Sequence, residues 1–230
     1  METSFEQGPI RPPSEAYSLL IRVTRNCPWN RCEFCHTYKG EKFSIRSVEE
    51  VKKDIDAVKE IVSEMKRLSW QYGFGGEITA PFVNLVLQNP RHTPDGSRSA
   101  VLWLYAGAKN AFLQDGNNLV LKTDDLAEIL RYLKETFSSI ERITSYARAK
   151  TVSKKTIEEL QVLGRAGLSR IHIGLETGYD PLLEYMKKGV TAQEHIDAGK
   201  KVKGSGISLS EYVILGLGGR RMWRGHAIET

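Results

Sequence analysis

Ala16-Tyr-Ser-Leu-Leu-Ile-Arg-Val-Thr24 is a short apolar run rich in β-preferring residues, and it leads straight into Arg-Asn-Cys27-Pro-Trp-Asn-Arg-Cys32-Glu-Phe-Cys35. The run predicts a first strand, with the three cysteines in the loop that follows it. Ser47 and Glu50 then form a Ser-x-x-Glu capping box, after which Val48, Val51, Ile55, Val58, Val62 and Met65 recur at helical spacing. A helix with one apolar stripe needs a sheet to cover, so strand, cysteine loop and helix read as the opening of a βαβ unit.

Farther along the chain the same alternation returns. Positions 68–109 are interrupted by Gly73, Gly75, Gly76, Pro81, Pro90, Pro94 and Gly96 and read as an irregular insertion, with short helices near Ala80 to Gln88 and Ser99 to Tyr105. A second strand is expected at Asn110 to Leu113. A helix at Asp124 to Phe137 carries Leu126, Ile129, Leu130, Leu133 and Phe137 on one face, and a third strand follows at Glu141 to Tyr146. Ser153 is expected to cap a helix bearing Ile157, Leu160 and Leu163 and ending at Ala166-Gly167. Leu168 to Leu175 is the fourth strand. Helical segments at Pro181 to Lys187 and Thr191 to Gly204 lead to a fifth, Ser208 to Leu215, closed by Gly216-Leu-Gly-Gly219. Strands alternating with helices imply a parallel sheet, whose ligand sites lie beyond the carboxyl ends of its strands.

With 230 residues, 40% of them hydrophobic and 27% charged, the chain suits one globular α/β domain. No run of about 20 apolar residues exists to span a bilayer, and Met1 to Ile10 lacks the basic start and apolar core of an export signal. A cytoplasmic location is expected. The formal charge of +5 is spread among acids along predicted helices, which is the pattern of a solvated surface rather than a nucleic-acid footprint.

The 3 cysteines lie close together, a poor basis for disulfides and a usual arrangement for metal binding. A structural zinc ion wants four protein ligands and would have to recruit a histidine such as His36. Three thiolates suit a four-iron cluster with one iron left open. At this point iron–sulfur cluster, zinc and incidental thiols all remain possible readings. His36, His92, His172, His195 and His226 share no metal-binding spacing, and none is assigned chemistry.

The Cys-x4-Cys-x2-Cys loop, the strand before it, Phe34 just ahead of the third cysteine and the later Ile171-His-Ile-Gly-Leu-Glu-Thr-Gly178 resemble the radical SAM superfamily, over nearly all of Tyr17 to Thr230. The fourth-strand segment is similar to that of methylthiotransferase, elongator-type and coproporphyrinogen-oxidase branches. The superfamily's common first gap is one residue shorter. The resemblance implies a partial (β/α)6 TIM-like barrel of α/β class, in residues 16–230, with 1–15 as an N-terminal extension and the last strand missing from a truncated C-terminal end.

It also implies a [4Fe-4S] cluster on Cys27, Cys32 and Cys35 and S-adenosyl-L-methionine (SAM) as the second cofactor. Phe34 would lie near the adenine, and Gly216 and Gly218 would place backbone against it. Glu176 would accept hydrogen bonds from the ribose, and Lys188, or its neighbour Lys187, would meet the methionine carboxylate. Gly75-Gly76-Glu77 matches the family's amino-binding segment in composition but sits inside the insertion. Gln114 to Asn118 is the positional match, with Asp115 or backbone carbonyls receiving the ammonium group. Tyr146 and Arg148 follow the third strand into the same cleft. The implied activity is reductive SAM cleavage to a 5′-deoxyadenosyl radical, with a reductant such as flavodoxin or ferredoxin as partner and no membrane. The alternative is a non-catalytic zinc or iron–sulfur module contacting nucleic acid.

Overall fold

The computed structural model describes residues 4–89 and 97–230; Pro90, His92, Pro94 and Gly96 of the expected insertion lie outside them. The chain opens with a single 3-10 turn, Pro13–Glu15, before β1 (Leu19–Arg22). The first strand therefore begins three residues later than its apolar run suggests, because Pro13 starts a turn and the Ser18 amide bonds back to the Glu15 carbonyl. β2 (Thr24–Arg25) and β3 (Ser44–Ile45) pair antiparallel and frame the cysteine loop.

α1 (Val48–Gln71) starts at the predicted capping box, with Ser47 accepting from the Glu50 amide. Its buried stripe is Val51, Ile55, Val58, Ile61, Met65 and Leu68. The described parts of the insertion are less irregular than their glycines suggest. α2 (Ala80–Gln88) and α3 (Ser97–Tyr105) place Phe82, Val86, Val101 and Trp103 in the main core, with Trp103 edge-on to Phe137.

The remaining elements alternate: β4 (Asn110–Gln114), α4 (Thr123–Thr136), β5 (Arg142–Ala147), α5 (Ala149–Val152), α6 (Ile157–Ala166), β6 (Leu168–Glu176), α7 (Asp180–Tyr185), α8 (Ala192–Gly204), β7 (Ser208–Val213) and α9 (Gly219–Glu229). Among the described residues β1, β4, β5, β6 and β7 form one parallel sheet in that order, with β1 and β7 at its edges. Each strand thus lies beside the next one in the chain, which is the winding of an open, barrel-like α/β sheet.

The two faces of this sheet differ sharply. Leu19, Ile21, Ala111, Leu113, Ile143, Ile171 and Ile173 alternate toward the helices and join the core. The opposite face carries Phe112, Thr144, Tyr146, His172 and Tyr212, with ring centres 5.1 Å apart for Phe112 and Tyr146 and 5.6 Å for His172 and Tyr212. Glu15 is wholly buried beneath that face, 3.5 Å from the His172 ring and 3.3 Å from Arg142. Phe5 of the N-terminal extension packs into the core, and Glu15 is buried against the sheet's inner side.

Two elements depart from expectation. Ser153 does not cap α6 but ends the short α5, whose turn Arg148 begins. The α6 cap is Thr156, in a full capping box with Glu159. Lys154 and Lys155, which lie between the two hydroxyl residues, continue the α5 turn through bonds to Thr151 and Val152 and delay the start of α6. Beyond Gly219 an unexpected helix, α9, buries only His226, whose ring bonds Thr177 and the Ile214 carbonyl. Among the described residues no helix is long and apolar enough to cross a membrane.

The cap assignment gives a direct test. Thr156→Ala should cost about 1 kcal/mol in urea unfolding, whereas Ser153→Ala should stay within about 0.5 kcal/mol of the parent. Equal effects of the two substitutions would contradict it.

Candidate active site

The cysteine loop, the Asp115 turn, Glu176 and Lys188 gather at the carboxyl end of the sheet, where the strands stop and backbone groups lose their ladder partners. Cys27, Cys32 and Cys35 are free thiols, each partly buried. Their loop is fastened on one side to the segment after α7. The Trp29 indole donates to the Lys187 carbonyl at 2.7 Å, the Glu33 amide donates to the Met186 carbonyl at 3.0 Å, and Lys187 pairs with Glu33. Gly189, at φ +68°, lets the Trp29 ring lie against its backbone, since a Cβ there would sit 2.2 Å from the indole. The Arg148 guanidinium stands 4.9 Å from the Trp29 ring centre and donates to the Lys188 carbonyl at 2.7 Å. On the other side Gly116 approaches Cys27 closely enough that a Cβ would meet its Sγ at 3.4 Å.

The fourth-strand residues come together as the sequence suggests. Lys188 is 9% exposed, and its Nζ lies 2.9 Å from Glu176 Oε1 and 5.4 Å from the centre of the Phe34 ring. Lys187 points to the surface, so of the two lysines only Lys188 faces this cleft. Gly174 makes the pairing possible: a Cβ there would lie 2.2 Å from the Glu176 carboxylate. Glu176 itself holds φ +65°, at a break in the register between β6 and β7. Burial pushes the Cys32 thiol up, and the nearby Lys188 and Arg148 charges oppose that shift. Burial in turn lowers Arg148, against the pull of Cys27 and Cys32. Lys188 and Arg148 thus bring positive charge close to Cys32, although burial outweighs them.

Gln114 and Asp115 are placed differently from the expectation for their side chains. Gln114 accepts from the Gly8 amide at 2.8 Å and donates to the Gly8 and Ile10 carbonyls, so it clamps the N-terminal segment. Asp115 is fully buried, and Arg22, Asn26 and Tyr38 all donate to its carboxylate. Tyr146 stands on the inner face of the sheet among Phe112, His172 and Tyr212, and burial pushes its phenol up. Gly216, at φ +76°, faces open space, whereas Gly218 begins α9 and is packed against Met222. Gly75-Gly76-Glu77 lies in the turn after α1, far along the chain from any strand end, and Gly76 instead lets the Trp70 indole pack closely. Gly174, Gly189 and Gly116 were not singled out from sequence; for Gly174 and Gly116 a glycine in or beside a strand end was the available signal, whereas Gly189 sits between α7 and α8 with none.

Three free thiols on one loop are a donor set that suits a four-iron cluster with one iron left open, whereas a structural zinc ion wants a fourth protein ligand. A cluster offers a separate iron to each thiolate.

The sequence pattern of the radical SAM superfamily matches residues 98–226. The chain belongs to the radical SAM superfamily. The match runs from α3 to α9, so the cysteine loop lies ahead of it. Among solved structures, the chain resembles the cobalamin-dependent SAM radical enzyme OxsB, with a TM-score of 0.55 and 21% identity, over 85% of this chain and 23% of that one. It also resembles methylornithine synthase PylB, with a TM-score of 0.54 and 14% identity, over 92% of this chain and 48% of that one. These likenesses support the partial-barrel fold of a radical SAM domain. A tRNA uridine(34) acetyltransferase of Methanocaldococcus jannaschii is 31% identical over 65 residues, which is 28% of this chain and 12% of that protein. The chain spans less than half the length of each of these relatives.

The buried histidine of α8 gives a pH test. His195, 3% exposed on α8, is lowered to about 4, chiefly by burial and then by Lys188. Its unfolded form takes up a proton near pH 6.5 while the folded form stays neutral, so stability should fall as pH drops from about 6.5 toward 4. The slope from this group is at most about 1.4 kcal/mol per pH unit. His195→Leu should flatten urea midpoints over that window; an unchanged slope would contradict the assignment.

Proposed function

We propose that the chain binds a [4Fe-4S] cluster through Cys27, Cys32 and Cys35 and uses it to cleave SAM reductively, yielding methionine and a 5′-deoxyadenosyl radical that takes hydrogen from a substrate. The observation that carries this reading is the meeting of Lys188 and Glu176 with Phe34, a residue of the cysteine loop far from both in sequence. When bound and reduced, the cluster supplies the electron that breaks the sulfonium carbon–sulfur bond. The chain's own residues bind, orient and shield. Lys188 and Arg148 offer positive charge to the methionine carboxylate, and Glu176 offers acceptors to the ribose hydroxyls.

The side chains of Gln114 and Asp115 are engaged elsewhere, so the backbone carbonyls of that turn are the groups left to receive the amino group. Gly216 presents open backbone for the adenine, with Phe34 near it; Gly218 is drawn into α9 and has no such role in this proposal. Tyr146 forms part of the wall of the inner face, where the radical would be kept from water. The electron comes from a small carrier such as flavodoxin or ferredoxin.

Anaerobic reconstitution with iron and sulfide, reduction by dithionite and addition of SAM should release 5′-deoxyadenosine, measured by chromatography. Cys32→Ala should lose the cluster iron and the product together. Glu176→Gln should keep the iron and raise the KM for SAM about tenfold, the worth of one hydrogen bond to a charged group. A chain that loads four irons yet leaves SAM intact, or that takes zinc in preference, would sink the proposal.

A further inference from the structure

One carboxylate touches both ends of the cysteine loop. Asp115 Oδ2 accepts from the Asn26 amide at 3.3 Å, immediately before Cys27, and Oδ1 accepts from the Tyr38 hydroxyl at 2.6 Å, three residues after Cys35. Arg22 Nε, on β1, donates to Oδ2 at 2.6 Å. Asn26 holds φ +70°, a conformation that costs energy outside glycine, and its side chain is tied to Lys42 and Arg22. Asp115 itself holds φ +73°, and its neighbour Gly116 is the residue packed on Cys27. Asn and Asp adopt this left-handed region more readily than other non-glycine residues, and one hydrogen bond, from the Asn26 amide to Asp115 Oδ2, joins the two turns.

The carboxylate is also sealed from water. It is 0% exposed, and the backbone of Gly8 lies over it so closely that a Cβ there would be 2.9 Å from Oδ1. Gln114 holds Gly8 in that position. Tyr38 is 2% exposed, and its phenol is pushed up by burial and by the bond to Asp115. Arg22 divides its charge between Asp115 and Glu6, which lies 2.9 Å from its other end. A negative charge in such a setting is weakly screened and acts on nearby centres.

We propose that Asp115 is a positioning residue for the cluster: it clasps the two ends of the cysteine loop and, through its buried charge, holds the cluster's reduction potential low. This rests on the cluster reading above, and it gives Asp115 a role distinct from contact with SAM. A fixed negative charge disfavours the added electron, and Tyr38 moderates it by donating to Oδ1 of the same carboxylate.

The test is the midpoint potential of the reconstituted full chain, measured by redox titration with the cluster's paramagnetic signal as readout. Asp115→Asn should shift the potential upward by about 59 mV, a tenfold change for one electron. Tyr38→Phe, which keeps the ring and removes the donor, should shift it downward, and it decides the matter even if the first variant does not fold. Asp124→Asn removes the same charge from an exposed position at the start of α4 and should leave the potential in place. Asp115→Asn moving no more than Asp124→Asn, or Tyr38→Phe moving upward or not at all, would overturn the proposal while leaving the cluster reading intact. Failure of the parent chain to form a four-iron cluster would overturn both.

Discussion

The cysteine loop has no ladder of its own, and its shape depends on hydrogen bonds made to other loops. Between β2 and β3 the chain runs through three thiols, a proline and a tryptophan with little local structure to hold it. Its fixed points are Trp29 and Glu33 against residues 186–189, and Asn26 and Tyr38 against Asp115. Those anchors belong to the loops after β4 and β6, so the sheet must be in register before the loop can take its form. Parallel strands place all these loops at one end, which is why the site and the fold are inseparable here.

The same end of the sheet concentrates buried charge. Lys188 with Glu176 and Arg22 with Asp115 are nearly or fully removed from solvent on at least one side. Ion pairs of this kind repay their desolvation only with good geometry, and a hydrophobic pair would often serve stability as well. The Arg22–Asp115 pair is used within the protein to tie the cysteine loop, while Lys188 and Glu176 face the cleft. SAM brings a carboxylate, an ammonium and a sulfonium, and in the proposed function Lys188 and Glu176 would exchange each other for groups of that cofactor. The apolar face of the sheet, filled by Ile143, Ile171, Ile173 and their neighbours, supplies the stability such a site consumes.

Much of this was legible from residues alone. The Ser47 capping box, the stripe of α1, the Gly167 stop and the strand segments carry local signals, and each lies within a few residues of its expected place. Strand–helix alternation put the cysteine loop and Glu176 at one end of the sheet, and the resemblance to the superfamily added Lys188. What sequence concealed was the choice among near-equivalent groups. Thr156 and Ser153 are both good caps, and only the turn at Lys154 and Lys155 separates them. Lys187 and Lys188 are neighbours, and the positive φ at Lys187 decides which one turns inward. Asp115 looked free to bind a ligand because its three donors come from Arg22, Asn26 and Tyr38, all far from it in sequence. The α9 helix had no apolar stripe to reveal it, since its buried contact is a single histidine.

The central claim is that three thiolates hold four irons and leave one open to SAM. Electron paramagnetic resonance of the reduced, reconstituted chain, recorded without and with SAM, tests it most directly. The account predicts a signal of a reduced four-iron cluster whose g values change when SAM is added, because SAM would ligate the open iron. A spectrum identical in the presence of saturating SAM, from a chain shown to contain four irons, would contradict it.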